Sequence, residues 1–409
     1  MSIFFFYARL RSVCYDTKKV KALLEDKLGY SNFCFTSSRI LFDRYLERDG
    51  RYEYLEAGSS PNFIKKRASI ENDLFDERID NSTNSNSKRK YFFAMNLFNN
   101  EEAIPYIRHE LMLLFKFFGH ENVYLSIYEN GSKDNSKALL RDFSKVLELF
   151  DIKHKIVLEN DPRPKEFHRI QYLAKVRNLA LVPLEEQRRN GQVYDKIIFL
   201  NDILFCRNDI LELVYQSDFQ GSDLTCSLDF FSDLEKDPPL LFRDTWVARD
   251  IKGSRFNQSL EELSDHPESR QRNDQKLPFQ VQCSWNGAAI LNPKPFYDEN
   301  PLRFRRSQVG TSECSASECS LLCNDLWNRG FRRFVVVPEI MVSYRLKDAV
   351  FADYNYDKLL NITRTLDEKI QYIDGPEKIF CIGLDGMSII EPDQPDRWVN
   401  YTNTGTKVI

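Results

Sequence analysis

The amino-acid sequence predicts an α/β fold in which a mainly parallel sheet is flanked by helices. From residue 91 onwards, short apolar segments alternate with amphipathic segments at the spacing of βαβ units. The clearest strand, Ile197 to Leu200, is mostly β-branched or aromatic, as expected of a strand buried on both faces. It ends in Asn201 and Asp202, at the carboxyl end of a strand, where open α/β sheets bind ligands.

Residues 1–80 are predicted to form a small N-terminal helical region. The segment from Asp16 to Leu28 is charged and amphipathic and stops before Gly29, and a second helix is predicted over 37–46. Residues 81–90 are polar and rich in Asn and Ser. This composition predicts a flexible linker, or a long surface loop with the boundary in the same position.

Four strands and three helices are predicted to follow the linker. The predicted strands are 91–97, 123–128, 155–158 and 197–200. The first helix is predicted to begin after a cap at Asn99 or Asn100 and to end at Phe118. The other two are predicted over about 134–149 and over 165–181. Right-handed crossovers between such units place the strand ends along one edge of the sheet.

The second half of the chain is less regular. Strands are predicted at 223–228, 288–291 and 334–337, with a possible continuation at 342–344, whereas 232–239 and 254–278 are acidic and rich in loop-forming residues. The sheet domain is therefore predicted to span residues 91–345. Residues 346–409 are predicted to be a C-terminal extension that packs on this domain or trails from it.

The composition argues against several classes of function. The 409 residues are 42% hydrophobic and 29% charged, as in a soluble globular protein, and the net charge of -4 offers no case for nucleic acid as the main partner. No apolar run reaches the roughly 18–20 residues of a membrane span. The run from Ile3 to Ala8 is followed at once by Arg9, so no secretion signal or anchor is predicted. A Walker loop, a dinucleotide fingerprint and a nucleophile elbow are also absent from the sequence.

The cysteines do not predict a metal site. The chain has nine, scattered and without a Cys-x-x-Cys pair, which argues against structural zinc. Most are predicted to be small buried hydrophobes, with one disulfide conceivable among Cys314, Cys319 and Cys323 in an oxidising compartment. Asn-x-Ser/Thr triplets permit a luminal location without establishing it. They begin at Asn81, Asn130, Asn257, Asn361 and Asn400.

Polar residues with chemical potential fall where the strand ends are expected to converge. The segments 96–100 and 128–132 are typical of ordinary turns, although Ser132 also offers a hydroxyl near a helix start. Arg169 and Arg177 share one side of a predicted helix, where they could clamp a diphosphate or belong to a solvated basic face. Asp202 could hold a hard divalent cation that neutralises a diphosphate, or it could cap the next segment.

Two downstream segments are also candidates. The Trp-Asn-Gly sequence at 285–287 indicates either a close backbone approach to a ligand or a structural turn with a packed indole. Glu318 opens an amphipathic segment, either as a catalytic carboxylate or as a first-turn acid on a helix.

Taken together, these segments resemble the fungal capsule-associated mannosyltransferase family, of the cryptococcal α-1,3-mannosyltransferase type. The resemblance covers about residues 91–345 and rests on the order and spacing of several short segments, none of which is decisive by itself. The segments are 92–101, 126–132, 169–178, 199–202, 244–250, 283–287 and 317–320.

The resemblance implies a GT-A-like (Rossmann-like) glycosyltransferase that moves mannose from GDP-mannose to a hydroxyl of a mannoside or glycan acceptor. It implies Mn²⁺ or Mg²⁺ as cofactor, retention of the anomeric configuration, and Asp202 as the metal ligand. The implied donor-binding residues are Asn96, Asn99, Glu129, Ser132, Arg169, Arg177, Asn178 and Asn201. The implied catalytic residues are Asp229, Arg249, Asp250 and Glu318, and the implied sugar or acceptor residues are Trp246, Trp285 and Asn286.

Other functions fit the same residues. One alternative is the same fold with another donor, such as UDP-glucose or UDP-xylose. Others are a non-catalytic glycan-binding or scaffold protein and a metal-dependent phosphohydrolase. The family resemblance implies the lumen of the Golgi or endoplasmic reticulum, although its members usually start with a membrane anchor and none is predicted here.

Overall fold

The computed structural model describes residues 52–57, 89–233, 240–308, 311–349, 368–383 and 396–401. The helices predicted at 16–28 and 37–46 and most of the predicted linker lie outside the described residues. Within the described ranges, no helix combines the length and the apolarity needed to cross a membrane.

The described strands and helices alternate along the first part of the chain. The strands are β1 (Tyr91–Leu97), β2 (Val123–Glu129), β3 (Lys153–Leu158), β4 (Lys196–Leu200), β5 (Leu224–Ser232), β6 (Leu240–Phe242), β7 (Arg249–Asp250), β8 (Phe279–Cys283), β9 (Ala288–Leu291), β10 (Phe334–Ser343), β11 (Lys378–Cys381) and β12 (Arg397–Asn400). The helices are α1 (Ile104–Phe118), α2 (Ser136–Leu149), α3 (Arg169–Arg189), α4 (Arg207–Phe219), α5 (Pro267–Asp274), α6 (Lys294–Tyr297) and α7 (Glu318–Asn328).

Ten of the described strands form one sheet. Its order is β3-β2-β1-β4-β9-β5-β10-β8-β7, and β6 also pairs with β5. The pairings make β1 to β5, β7 and β10 run in one direction, whereas β6, β8 and β9 run in the other. The predicted α/β fold with a mainly parallel sheet is thus confirmed.

The helices cover both faces of this sheet. The chain adds β2 and β3 on one side of β1 and then returns to place β4 on its other side. Because crossovers are right-handed, α1 and α2 lie on one face and α3 lies on the opposite face. Helix α3 is fastened to the sheet by side-chain donors, since Asn96 Nδ2 bonds to the Val176 carbonyl at 2.9 Å and Ser126 Oγ to the Ala180 carbonyl at 2.6 Å.

Described segments outside the main domain contact it directly. Tyr54 donates to Asp218 on α4 at 2.9 Å. Strands β11 and β12 pair with each other in an antiparallel ladder, and the Phe380 amide donates to the Gly253 carbonyl at 2.8 Å. Strand β11 therefore lies against the loop that follows β7.

Two predicted helix starts are wrong. Helix α1 begins at Ile104 rather than after Asn99 or Asn100, and its first turn contains Pro105, which suits the start of a helix because it lacks an N–H. Helix α3 begins at Arg169 rather than at residue 165 and continues to Arg189 through Pro183. His168, with a non-helical ψ of 128°, is the N-cap residue that precedes it.

Helix α4 was not predicted at all. Most of its residues are buried, including polar ones such as Asp209, Glu212 and Gln216. A helix surrounded by protein has no solvent-facing polar stripe, so the sequence shows no amphipathic period. The short α5 likewise interrupts the stretch 254–278, which was predicted to be rich in loops.

Candidate functional site

The sheet changes its direction of growth between β1 and β4, and we call the edge beyond the carboxyl ends of these two strands the crevice. The register pairs Met95 with Leu200, so the two strands end on the same edge. Across this edge, Asn100 Nδ2 donates to Asp202 Oδ2 at 2.9 Å. The crevice beyond the carboxyl ends of strands at such a switch point is the usual ligand site of open α/β sheets. Asp202 does not cap the following helix, whose capping box is formed by Cys206 and Asp209.

Arg177 is the centre of a buried network behind Asp202. Its Nε donates to Glu318 Oε1 at 2.8 Å, and its Nη1 donates to Asn201 Oδ1 at 3.0 Å. The guanidinium also lies 4.9 Å from the ring centroid of Trp285 and 5.5 Å from that of Phe304. A solvated basic face is therefore excluded for Arg177, because its side chain is only 10% exposed.

Asn201 joins three elements through its amide. Its Oδ1 also accepts from Trp285 Nε1 at 3.1 Å, and its Nδ2 donates to the Tyr344 hydroxyl at 2.9 Å. With both amide atoms bonded to protein groups, Asn201 fixes the geometry of the strand end. Asp202, the next residue, is partly exposed and contributes the carboxylate at the crevice.

Two acids lie together near Tyr344, the fully buried Asp229 and the partly buried Asp244. The Asp244 amide donates to Asp229 Oδ1 at 3.2 Å. Asp229 Oδ2 has no hydrogen bond, and the contact with Arg243 Nη1 at 3.6 Å is a charge contact only. Burial, and next the charge of Asp244, raises the pKa of Asp229, and burial also raises the pKa of Asp244. Of the two, the fully buried Asp229 is the stronger candidate for a carboxyl that holds a proton.

The Trp-Asn-Gly segment forms a tight turn with a packed indole. Asn286 and Gly287 both have positive φ, at 46° and 86°. A Cβ on Gly287 would lie 2.7 Å from Ile203 Cγ2, so only glycine fits beside the residue that follows Asp202. Trp285 is 1% exposed and packs edge-on against Phe199 and Phe304. The structural interpretation of this turn holds, and the indole reaches the crevice only through Asn201.

The candidate donor residues of β1, β2 and the loops that follow them lie together. The Asn99 amide donates to Ser132 Oγ at 2.7 Å, and Asn99 Oδ1 accepts from the Lys133 amide at 3.0 Å. Glu129 is fully buried, with one oxygen bonded to the Ser132 amide and the other without a hydrogen bond. Asn96 is turned towards α3 instead.

Several other candidates are engaged with backbone groups away from the crevice. Asn178 donates to the Phe304 carbonyl at 2.8 Å and accepts from the Phe304 amide at 2.9 Å, which positions the aromatic wall next to Arg177. Asp250 Oδ1 accepts from the amides of Lys252 and Ser254 at 2.9 and 3.0 Å, closing a local turn. Arg169 is exposed at the start of α3, so it does not form a matched clamp with buried Arg177.

Arg249 and Trp246 hold the C-terminal segment. Arg249 donates to the carbonyls of Ala248 and Phe380, and Trp246 Nε1 donates to the Ile382 carbonyl at 3.3 Å. Burial lowers the pKa of Arg249 to about 10. These two side chains therefore have a supporting role at the site. Arg249 is nevertheless close enough to Asp244 for its positive charge to act against the rise in the pKa of that carboxyl group.

Sequence reasoning missed Asn100, Arg243, Asp244 and Tyr344 as individual site residues. Asn100 and Asp244 belong to segments that carry the family resemblance, and Tyr344 ends the strand predicted at 342–344. Arg243 lies directly before one of those segments and lacked any signal of its own.

The described residues contain no ready-made group of three or more His, Cys, Asp or Glu side chains that could hold a metal ion. Asp202 supplies a single hard oxygen donor at the crevice. Mg²⁺ is commonly held by only one or two carboxylates together with substrate phosphates. The donor chemistry therefore fits a metal that arrives with a diphosphate.

Two disulfides join distant parts of the chain. Cys283 is bonded to Cys323, and Cys314 is bonded to Cys381. The prediction that most cysteines are buried thiols is wrong for these four, because their partners are 40 and 67 residues apart and meet only in the folded protein. Cys319 is a buried thiol, so the predicted cluster contains no internal disulfide.

Comparison with known proteins gives the chain a family. The profile of the family described as "Cryptococcal mannosyltransferase 1" matches residues 90–325. The alpha-1,3-mannosyltransferase CMT1 of Cryptococcus neoformans var. neoformans is 33% identical over 276 residues, which is 63% of this chain and 58% of that protein. The chain thus spans somewhat more than half the length of this curated relative.

Solved structures show a partial likeness of fold. The mannosyltransferase PcManGT from Pyrobaculum calidifontis, in complex with GDP-Man and Mn²⁺, is 10% identical with a TM-score of 0.36 over 69% of this chain and 64% of that chain. TarS residues 1–349 from S. aureus are 12% identical with a TM-score of 0.36 over 68% of this chain and 67% of that chain. At such scores the likeness concerns the fold alone.

Proposed function

The chain belongs to the cryptococcal mannosyltransferase 1 family, and we propose on this premise that it is a metal-dependent retaining glycosyltransferase. Its GT-A-like domain would transfer mannose from GDP-mannose to a hydroxyl of a mannoside or glycan acceptor and form an α-1,3 linkage. The family supplies the transferase class. The donor, the metal and the linkage are parts of the proposal.

The observation that carries the proposal is the position of Asp202. Its carboxylate lies at the switch point of the sheet, next to the Asn201 amide that Arg177, Trp285 and Tyr344 hold in place. A carboxylate fixed in this way can meet a nucleotide diphosphate without reorganising, which is the basis of electrostatic catalysis.

Asp202 would hold the Mn²⁺ or Mg²⁺ ion of the donor complex. When bound, such an ion neutralises the diphosphate and stabilises the departing nucleotide. Asn201 is unsuited as a second ligand, because its Oδ1 already accepts from Arg177 and Trp285. The remaining ligands would therefore come from the donor phosphates and water.

The chain's own residues would position the acidic groups on the side of the sugar that reacts. Arg177 donates its Nε–H to Glu318 and so holds the side chain of this acid in place at the start of α7. The acceptor oxygen would bond to the anomeric carbon from the leaving-group side as the sugar–phosphate bond breaks, which retains the configuration. The hydroxyl proton would pass to the departing phosphate. Asp229, buried and with a raised pKa, would hold a proton on its Oδ2 in the acid group near Tyr344.

A luminal location in the secretory pathway belongs to the same proposal. Disulfides persist in oxidising compartments and are rare in the cytosol. Two of them lie within the described residues, at Cys283–Cys323 and Cys314–Cys381. Fractionation of cells that express the tagged chain would test the proposal, and a cytosolic pool with reduced cysteines would contradict it.

The decisive test is transfer and hydrolysis with the purified chain. GDP-mannose is supplied with Mn²⁺ or with EDTA, together with an α-mannoside acceptor, and GDP release and product linkage are measured. We expect EDTA-sensitive GDP release and an α-1,3-linked product. Turnover only with UDP-glucose or UDP-xylose would refute the donor. Glycan binding without turnover, or phosphate release from simple esters, would refute the transferase.

A further inference from the structure

Arg243 brings a half-exposed guanidinium to the crevice. Its side chain is 49% exposed, whereas that of Arg177 is 10% exposed. Arg177 has its Nε and Nη1 bonded to Glu318 and Asn201. An arginine that recognises a phosphate must offer its N–H groups to the ligand, so Arg177 is poorly suited to that task as folded.

Tyr344 orients the Arg243 guanidinium. The centre of the guanidinium lies 4.0 Å from the centroid of the Tyr344 ring, a close cation–π contact. The same tyrosine accepts from Asn201, the residue that precedes Asp202. Arg243 is thus linked through one aromatic ring to the strand end that carries the candidate metal ligand.

Carboxylates lie near the Arg243 guanidinium without forming a bidentate pair with it. Arg243 Nη1 lies 3.6 Å from Asp229 Oδ2, and this oxygen makes no hydrogen bond. Burial lowers the pKa of Arg243, but Tyr344, Asp229, Asp244 and Asp202 together outweigh it and raise the pKa. The planar guanidinium is therefore attracted to the acids, but its N–H groups do not form a bidentate pair with Asp229.

We propose that Arg243 binds the diphosphate of the nucleotide-sugar donor from the Tyr344 side of the crevice, opposite the metal held by Asp202. This inference rests on the proposed function and assigns a residue within it. On binding, the fork would exchange its loose contact with Asp229 for charge-assisted hydrogen bonds to phosphate oxygens. Arg177 would then be a positioning residue for Glu318 and Asn201.

The test measures binding to the full chain rather than turnover. Calorimetry with Mn²⁺ present compares GDP, UDP, guanosine and uridine as probes. The variant is Arg243→Gln, and the matched control is Arg270→Gln, because Arg270 on helix α5 is 41% exposed and lies 3.8 Å from the carboxylate of Asp265. We expect Arg243→Gln to weaken diphosphate binding about 10- to 100-fold and to leave nucleoside binding unchanged. Arg270→Gln should behave as the wild type.

The outcomes separate this inference from the function on which it rests. Wild-type diphosphate affinity in Arg243→Gln would overturn the inference, as would an equal loss for diphosphate and nucleoside, which indicates a purely structural role. Arg243→Lys, which keeps the charge and loses the fork, is expected to restore part of the affinity. Binding of UDP without GDP would refute only GDP-mannose as donor. A wild type that binds neither diphosphate would overturn both proposals.

Discussion

The guanidinium of Arg177 donates to the carboxylate of Glu318 at 2.8 Å and so joins helix α3 to helix α7 inside the protein. The two side chains are 10% and 2% exposed. A pair this deeply buried has lost its hydration, so each charge depends on the other. The ion pair therefore connects α3, which packs on the first strands of the sheet, to α7, which follows Cys314 in the chain.

Replacement of Arg177 by Met should be strongly destabilising. Glu318 would remain as an uncompensated buried charge, which typically costs about 3–5 kcal/mol. Arg189→Met is the matched control, because Arg189 is in the same helix but is 77% exposed and lies 3.7 Å from Glu185. Its loss should cost no more than about 1 kcal/mol. Urea unfolding measures both, and equal free energies of unfolding would contradict the prediction.

Asp202→Asn should abolish metal-dependent turnover and leave the fold intact. The amide keeps the shape of the side chain and can still pair with Asn100, but it lacks the charge that attracts a divalent cation. We expect kcat/KM to fall by about 100-fold or more. Asp142→Asn, at a partly exposed site on α2, serves as the control. A folded Asp202→Asn enzyme with full activity would refute Asp202 as the metal ligand.

Asp229 should make stability depend on pH. Burial raises its pKa in the folded state, so above pH ~4 the folded protein retains a proton that the unfolded chain releases. The resulting stabilisation of the folded protein is complete at pH values below the pKa of Asp229 in the unfolded chain. It is lost as the pH rises towards the pKa of Asp229 in the folded protein. Asp229→Asn removes this loss, so its stability relative to wild type should increase between about pH 5 and pH 7.

Urea unfolding at a series of pH values measures this difference. Asp298→Asn is the control, because the side chain of Asp298 is 53% exposed. Its stability should run parallel to that of the wild type. Asp244 acts in the same direction as Asp229, so the Asp229→Asn profile should be flatter without becoming level. Parallel profiles for wild type and Asp229→Asn would show that Asp229 is ionised when folded.

Gly287→Ala should damage the crevice, whereas Gly330→Ala should not. The two glycines have almost the same φ, 86° and 85°, so both alanines carry the same backbone strain of about 1–2 kcal/mol. Only at Gly287 would the new Cβ meet a neighbour closely, at 2.7 Å from Ile203 Cγ2. Overpacking adds about 1–3 kcal/mol and displaces the residue next to Asp202. Thermal unfolding and kcat/KM of both variants test this, and equal losses would argue against it.

Replacing both Cys314 and Cys381 by serine should release the C-terminal hairpin. This disulfide closes a separation of 67 residues, and loss of such a link typically costs about 2–4 kcal/mol. Peptide mapping without reduction should first recover a linked pair of peptides that contain the two cysteines. Alkylation of Cys314 in the folded, unreduced protein would show that the link is absent.

The sequence was sufficient for the parts of the fold that have a simple period. Strand β1 was predicted with its observed bounds, and β4 to within one residue, because both are short apolar runs rich in aromatic or β-branched residues. Helix α4 escaped prediction because its polar residues are buried along with its apolar ones. Tertiary surroundings, rather than local pattern, decide the conformation there.

The location of the site was easier to predict from the sequence than the contacts between its residues. Polar residues at strand ends pointed to the edge where Asp202 and Asn100 meet. The contact of Arg243 with Tyr344, two residues 101 positions apart in the chain, depends on how β5 and β10 pair. Arg249 and Asp250 are the opposite case. Their motif predicted them as site residues, but their hydrogen bonds go to backbone groups of nearby segments.

The place of β10 in the sheet limits where the chain can be cut. This strand comes late in sequence, yet it lies between β5 and β8. An expression fragment that stopped at α7 would leave both neighbours with unpaired backbone groups, and such open edges favour aggregation. It would also lack Tyr344. Truncation series therefore need to follow the spatial order of the strands, and the shortest soluble fragment should extend beyond Ser343.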